Sequence, residues 1–347
     1  MIKILIFSSI ILIGGINNMS SAAATTHNAC DFKEIYNERF QYCVPEGVVR
    51  SFFEGNSFGR TEPYSPTEQR RLTDDINTIY GSILTRNPIQ EKLAVISAGA
   101  PGAGKTTIIR QQLEEYALRG KQFAYIDPDD VCLKEMKQTW AADLEKSLRY
   151  ADQAHADDRI AQEKQIRENG YDKWRPGSNA ANHLILANLI RQNYAFYFGT
   201  TSSSPLTANT FKYLKEKGYR IHLIHVIAPD DVRWNSIRKR DKSFVQTTED
   251  DTIEKGRLVP QRINDTYLKY ADQIDFYFRG EVKEDATLTA TWIRSSKEES
   301  TGELKIFEQE MYRTMVRVHN EICATLEEPD DTILWENSVI KASISSQ

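Results

Sequence analysis

Residues 93–107 read Leu-Ala-Val-Ile-Ser-Ala-Gly-Ala-Pro-Gly-Ala-Gly-Lys-Thr-Thr, and this stretch decides the fold. Its first six residues, Leu93–Ala98, are a short apolar run of the kind that forms a buried strand. A glycine-rich loop follows, and Thr106–Leu118 then carries a helical pattern closed by Gly120. Gly99 to Thr106 satisfies G-x-x-x-x-G-K-[ST] in the strand–loop–helix context the motif requires. Glycines at 99, 102 and 104 let the backbone curl so that successive N–H groups face phosphate oxygens. The helix adds its positive N-terminal end. Lys105 is expected to reach the outer phosphates and the Thr106 hydroxyl to ligate Mg²⁺. Gly99, Ala100, Pro101, Gly102, Ala103, Gly104, Lys105, Thr106 and Thr107 therefore form the expected binding loop for ATP. A loop that only turned the chain would not need the Lys-Thr pair.

Outward from this loop, strand and helix alternate. Gln122–Ile126, Tyr194–Phe198, Tyr219–Ile227 and Asp275–Phe278 read as strands. Ser65-Pro66 opens a helix, with Ser as N-cap and Pro in the first turn. Ile76, Ile79, Tyr80, Ile83 and Leu84 then repeat at helical spacing up to Asn87-Pro88. Further helices are expected at Ala208–Lys217, from Asp230, and at Ile263–Ala271, and Arg175-Pro-Gly-Ser178 reads as a turn that opens another. Such alternation over residues 92–279 predicts an α/β fold: a P-loop NTPase-type, mostly parallel sheet flanked by helices. Residues 133–170 read as a charged helical insertion, solvated because its acids and bases are mixed. Residues 281–347 read as a C-terminal extension. It has a strand at Leu288–Ile293 and an amphipathic helix bearing Leu304, Phe307, Met311, Met315, Val318 and Ile322. The plan is thus a leader at 1–24, an N-terminal extension at 25–65, the catalytic domain at 66–280, and the extension.

Across 347 residues, a formal charge of −5 argues against a protein that works by gripping a nucleic-acid backbone. Lys3, the apolar run Ile4–Ile16 and the Ala22-x-Ala24 spacing have the three zones of a secretory signal peptide, with cleavage expected after Ala24. The apolar run is too short for a stable membrane span of about 20 residues. A true start at Met19 would remove the leader and leave the protein cytoplasmic. Cys30 and Cys43 could pair in an oxidising compartment, but four unrelated thiols are preferred over a bridge. Neither the four cysteines nor the six histidines have metal-site spacing.

Phosphoryl transfer needs a carboxylate to take the acceptor's proton. Asp127-Pro-Asp129-Asp130 follows the second strand, at the carboxyl edge where open parallel sheets bind ligands. Asp129 or Asp130 could instead cap the next helix. Phe198-Gly-Thr-Thr-Ser-Ser-Ser204 offers small hydroxyls, Thr200 and Thr201 among them, at another strand's carboxyl end. Arg233, Arg238, Arg240 and Arg257 lie between the last two core strands, where a guanidinium could neutralise the transferring group.

Taken in order, GAPGAGKTT, YIDPDD, FYFGTT, APDD and GRLVP over about residues 70–280 resemble the zeta-toxin family of P-loop kinases. The resemblance implies an ATP- and Mg²⁺-dependent kinase acting on a hydroxyl of a small, nucleotide-linked or sugar acceptor, typically UDP-N-acetylglucosamine. It also implies Lys105 and Thr106 on phosphate and metal, Asp129 as general base, and Arg257 on the γ-phosphate, with Arg240 a second candidate. An antitoxin or a host protein is the partner class it suggests. Phe198 stands where the family often has an acidic substrate-holding residue, which sets UDP-N-acetylglucosamine itself in question. Two other readings are an NTPase switch with Asp127 as its metal-site acid, and a degenerate kinase-fold effector acting by protein binding.

Overall fold

The computed structural model describes residues 64–151, 156–241, 247–295, 301–326 and 333–340. The expected leader, residues 25–63 and the cysteines at 30 and 43 lie outside the described residues. Helix α1 (Pro66–Thr85) opens with the expected cap. Ser65 Oγ accepts from the Glu68 amide at 3.3 Å, and the Glu68 carboxylate accepts from the Ser65 amide at 2.8 Å. This reciprocal pair satisfies two donors that a helix start leaves open.

Strand β1 (Leu93–Ala98) runs into the glycine loop and helix α2 (Lys105–Leu118). Then come β2 (Ala124–Ile126), a wide turn at Pro128–Leu133, α3 (Trp140–Ala151), α4 (Ala156–Arg191) and β3 (Phe196–Phe198). The chain continues through α5 (Thr207–Glu216), β4 (Arg220–Ile227), α6 (Asp230–Asp241) and α7 (Glu249–Arg262). It ends with β5 (Gln273–Phe278), β6 (Thr287–Arg294), β7 (Gly302–Ile306), α8 (Gln309–Ala324) and a last turn at Glu336–Ile340. The expected α/β architecture is what forms: one mostly parallel sheet with helices on both faces, in the order β2-β3-β1-β4-β5-β6-β7. β2, β3, β1, β4 and β5 are parallel, and β6 and β7 add on antiparallel. β1 sits centrally, with β3 on one side and β4 on the other, so the chain order switches there and a crevice opens at its carboxyl end.

The sheet buries apolar residues on both faces. Ile96, Phe196, Leu223 and Phe276 join α1 and α4 in one core, while Val95, Tyr197 and Ile224 meet Ile108 and Ile109 of α2 on the other. Such two-sided burial is why the strands read as continuous apolar runs and not as alternating ones.

Three expectations need correction. The Arg175–Ser178 segment does not open a helix; it lies inside the 36-residue α4. Pro176 and Gly177 should break that helix. The Tyr64 hydroxyl prevents this by inserting into the ladder: it donates to Lys173 O at 2.7 Å and accepts from the Gly177 amide at 3.1 Å. The Tyr64 ring stacks on Trp174 with centroids 5.0 Å apart. The end of the charged stretch 133–170 therefore runs on into the helix that packs on the sheet.

Secondly, GRLVP is itself helical, lying within α7 up to Arg262; the expected helix over Ile263–Ala271 does follow, as a wider turn at Ile263–Tyr267 that runs into Leu268–Tyr270. Thirdly, the tail helix begins at Gln309, so Leu304 belongs to β7 and Phe307 is 45% exposed. The tail is also continuous with the core. Trp335 is fully buried, 4.7 Å from Phe276 by ring centroids, and its indole N–H donates to the Tyr312 hydroxyl at 2.6 Å. Cys132 and Cys323 are buried free thiols. Among the described residues no helix is long and apolar enough to cross a membrane.

Candidate active site

A cleft of about 650 Å³ opens at the carboxyl end of β1, β2 and β3. Its floor is the glycine loop. Gly102 has φ +81°, and a Cβ there would lie 2.5 Å from Arg233 O. Only glycine fits that turn. Pro101, Gly102, Gly104, Lys105, Thr106 and Thr107 line the cleft. Gly99, Ala100 and Ala103 do not. The Gly99 amide donates to Thr201 O at 3.1 Å, so it is committed to the loop after β3 and not to a ligand. Ala100 and Ala103 face a small cavity behind the loop instead.

Lys105 Nζ donates to Gly99 O and Ala100 O at 2.8 and 2.9 Å, folding its chain back over the loop. Burial pulls its pKa down to about 7; Asp127 works against that shift, and Arg233, Arg240 and Lys255 add to it. An anionic ligand would reverse the balance.

The acids divide by task. Asp127 Oδ1 accepts from the amides of Asp129 and Asp130 at 2.7 and 2.6 Å, so Asp127, and neither of its neighbours, caps the turn. Burial first, and then Asp129 and Asp130, push its carboxyl well above the usual range. Gly199 makes room for it, since a Cβ at 199 would stand 2.0 Å from Asp127 Oδ2. Asp130 is bound by Arg110 and Lys134, both at 2.6 Å, and by the Tyr125 hydroxyl. Burial would raise its pKa, but these cationic partners outweigh it and hold it low. Asp129 is left facing the cleft, 2.8 Å from Arg175 Nε of α4.

Thr200 and Thr201 line the cleft on a loop tied to β1. Ser97 Oγ donates to Thr200 O at 2.7 Å, and Ser202 Oγ donates to Ser97 O at 2.7 Å. Arg240, Lys255 and Arg279 supply positive charge on the far side. Arg279 reaches Gly102 O at 3.3 Å and Ser236 Oγ at 2.9 Å. Arg257 is not brought to the cleft; it is exposed on α7. Two residues advance a helix by about 200°, so with Lys255 facing in, Arg257 faces out. The glycine before it has a packing reason: a Cβ at Gly256 would lie 3.0 Å from Arg233 Nη1. Arg233 is itself buried and bridges the glycine loop to α7, donating to Pro101 O and Thr252 O at 3.1 Å each. Arg238 pairs with Asn235, away from the cleft.

The sequence reading missed one wall. Arg175, Asn179, Asn182 and His183 all line the cleft from α4. Their spacing of i, i+4, i+7 and i+8 is one helical face. The signal was available as polar residues at helical spacing that lead from Arg175 into the apolar run Ala180–Ile190.

Residues 80–173 match the family model described as zeta toxin, which bears out the resemblance carried by GAPGAGKTT and YIDPDD. No curated protein matches this chain. Among solved structures it is similar to one from the PezAT chromosomal toxin-antitoxin system of Streptococcus pneumoniae. Identity there is 18%, with 75% of this chain and 98% of that chain covered, at a TM-score of 0.42. A native AvrRxo1-ORF1:-ORF2 complex gives 12% identity over 81% and 86%, at 0.47. The same pair solved with ATP gives 13% over 81% and 87%, at 0.44.

Proposed function

We propose, with the zeta-toxin match of residues 80–173 as premise, that this chain is an ATP-dependent small-molecule kinase. In this reading the γ-phosphate passes to a hydroxyl of a nucleotide-linked or sugar acceptor. One observation carries it: Lys105, Thr106 and the carboxylate of Asp129 share a single cleft with Arg240, Lys255 and Arg279. A phosphate-gripping loop, an available base and a cationic far wall are the parts phosphoryl transfer asks for.

The loop amides and Lys105 would grip the phosphates, and Asp129 would accept the proton of the attacking hydroxyl. Arg240, Lys255 and Arg279 would neutralise charge on the transferring group. Oxygen donors at Thr106 and Asp127 suit Mg²⁺, which commonly takes only one or two protein ligands beside phosphate oxygens and water. The cation would supply charge neutralisation between the outer phosphates. Among the described residues no cluster of three His, Cys, Asp or Glu forms a self-sufficient metal site.

The test is incubation with γ-labelled ATP and UDP-N-acetylglucosamine, a dinucleotide and a nucleoside in parallel. A labelled small molecule supports the reading. Release of phosphate alone would favour the NTPase switch, and no consumption of ATP would favour a binding effector. We further infer export through the leader, so that the mature chain begins at Thr25; an intact mass that retains Met1 would refute it.

A further inference from the structure

Asn182 lies on the cleft-facing side of α4 and is 2% exposed. Its side-chain oxygen is buried and has no hydrogen-bond partner among the described residues. An unpaired buried amide oxygen is destabilising, so a leucine of similar shape would serve a purely structural position better. The surrounding helix takes that course: Ala181, Leu184, Ile185 and Leu186 are all buried and apolar. Beside Asn182, His183 meets the Phe198 ring edge-on with centroids 6.2 Å apart, and Phe198 also lines the cleft. Asn182 is seven residues beyond Arg175, the partner of Asp129, which is roughly 10 Å of helical rise.

Resting on the kinase reading above, we propose that Asn182 reads the acceptor molecule. Its Oδ1 has almost no surface open to the empty cleft, so the amide turns about its Cβ–Cγ bond to accept a hydrogen bond from an N–H or O–H that the acceptor carries about two helical turns beyond the reacting hydroxyl. The acceptor is therefore an elongated molecule with a second, donor-bearing group such as an amide or another hydroxyl. A site built to pair such a donor discriminates strongly against analogues that lack it.

The experiment compares wild type, Asn182→Leu and Asn182→Asp in the full chain. It uses γ-labelled ATP and whichever of UDP-N-acetylglucosamine, the dinucleotide or the nucleoside becomes labelled. Asn182→Leu is expected to raise the acceptor KM at least about tenfold with the KM for ATP unchanged, while its Tm stays level or rises. Asn182→Asp, which keeps an accepting oxygen, is expected to hold the acceptor KM within about threefold of wild type. An unchanged acceptor KM in Asn182→Leu, with wild type active, overturns this inference alone. A Tm for Asn182→Leu several degrees below wild type also overturns it, since the oxygen would then already serve the fold. Loss of acceptor affinity in Asn182→Asp equal to that in Asn182→Leu overturns the donor assignment. If wild type labels none of the three compounds, the kinase reading falls and this inference falls with it.

Discussion

Arg175 Nε stands 2.8 Å from Asp129 Oδ1, so the carboxylate at the end of β2 and the long helix α4 meet in one ion pair at the cleft wall. The pair fixes where Asp129 points while its second oxygen stays available to a hydroxyl. Asp129→Asn is expected to keep the fold and Mg-ATP binding while transfer falls by about 10²–10⁴-fold. Single-turnover transfer at the wild-type rate would remove Asp129 from the mechanism.

Asp130 should behave differently despite being the next residue. Its carboxylate is spent on Arg110, Lys134 and Tyr125. Asp130→Asn is therefore expected to cost about 1–3 kcal/mol of stability, read by denaturant titration, with transfer nearly intact once the protein is folded.

Lys105 offers a proton-counting test. Burial holds its pKa near 7, below the usual 10.5, so at pH 8 the free protein keeps it largely neutral. Phosphate charge favours the ammonium, and ATP binding at pH 8 should take up as much as one proton. Calorimetry in buffers of different ionisation enthalpy measures this, and the uptake should fade towards pH 6. Lys105→Ala should abolish it and lose most of the affinity. The depressed pKa also means that the contribution of this lysine to stability is present above its unfolded value and is lost as pH falls through about 7.

On α7 the cleft charge belongs to Lys255, with Arg257 turned to solvent. Lys255→Ala is expected to slow transfer by tenfold or more, as loss of a transition-state charge should. Arg257→Ala should leave steady-state kinetics unchanged. The reverse result would mean that α7 rotates when nucleotide binds.

Gly199→Ala probes the contact between two strand ends. The new methyl would stand 2.0 Å from Asp127 Oδ2, so either the β3 loop or the capping carboxylate must move. Overpacking of this kind costs about 1–3 kcal/mol, and ATP affinity should fall with it. A thermal melt identical to wild type would show that the loop yields freely.

Much of this was legible in the residues because burial on both sheet faces writes strands as apolar runs, as at Leu93–Ile96 and Tyr194–Phe198. The nucleotide loop declared itself because few other structures need its glycines together with Lys-Thr. What failed depended on partners distant in sequence. No local rule lets a helix run through Pro176-Gly177, because the rescuing hydroxyl is more than a hundred residues away. The facing of Arg257 needed the phase of α7, which motif matching ignores. β7 was missed because Gly302-Glu-Leu-Lys-Ile is an edge strand with only weak alternation. Asn182 escaped notice because the apolar residues around it dominate the reading of that helix until the cleft beside it is visible.

The Tyr64 hydroxyl that threads into α4 has a practical consequence for how this protein is cut and compared. The family match begins at residue 80, and a fragment trimmed to regular structure would begin at the α1 cap. Either boundary would discard the side chain that completes the ladder one turn from Arg175, and with it the stacking partner of Trp174. Expression trials should therefore keep residue 64, whose hydroxyl and ring hold α4 together where it carries Arg175 to the cleft.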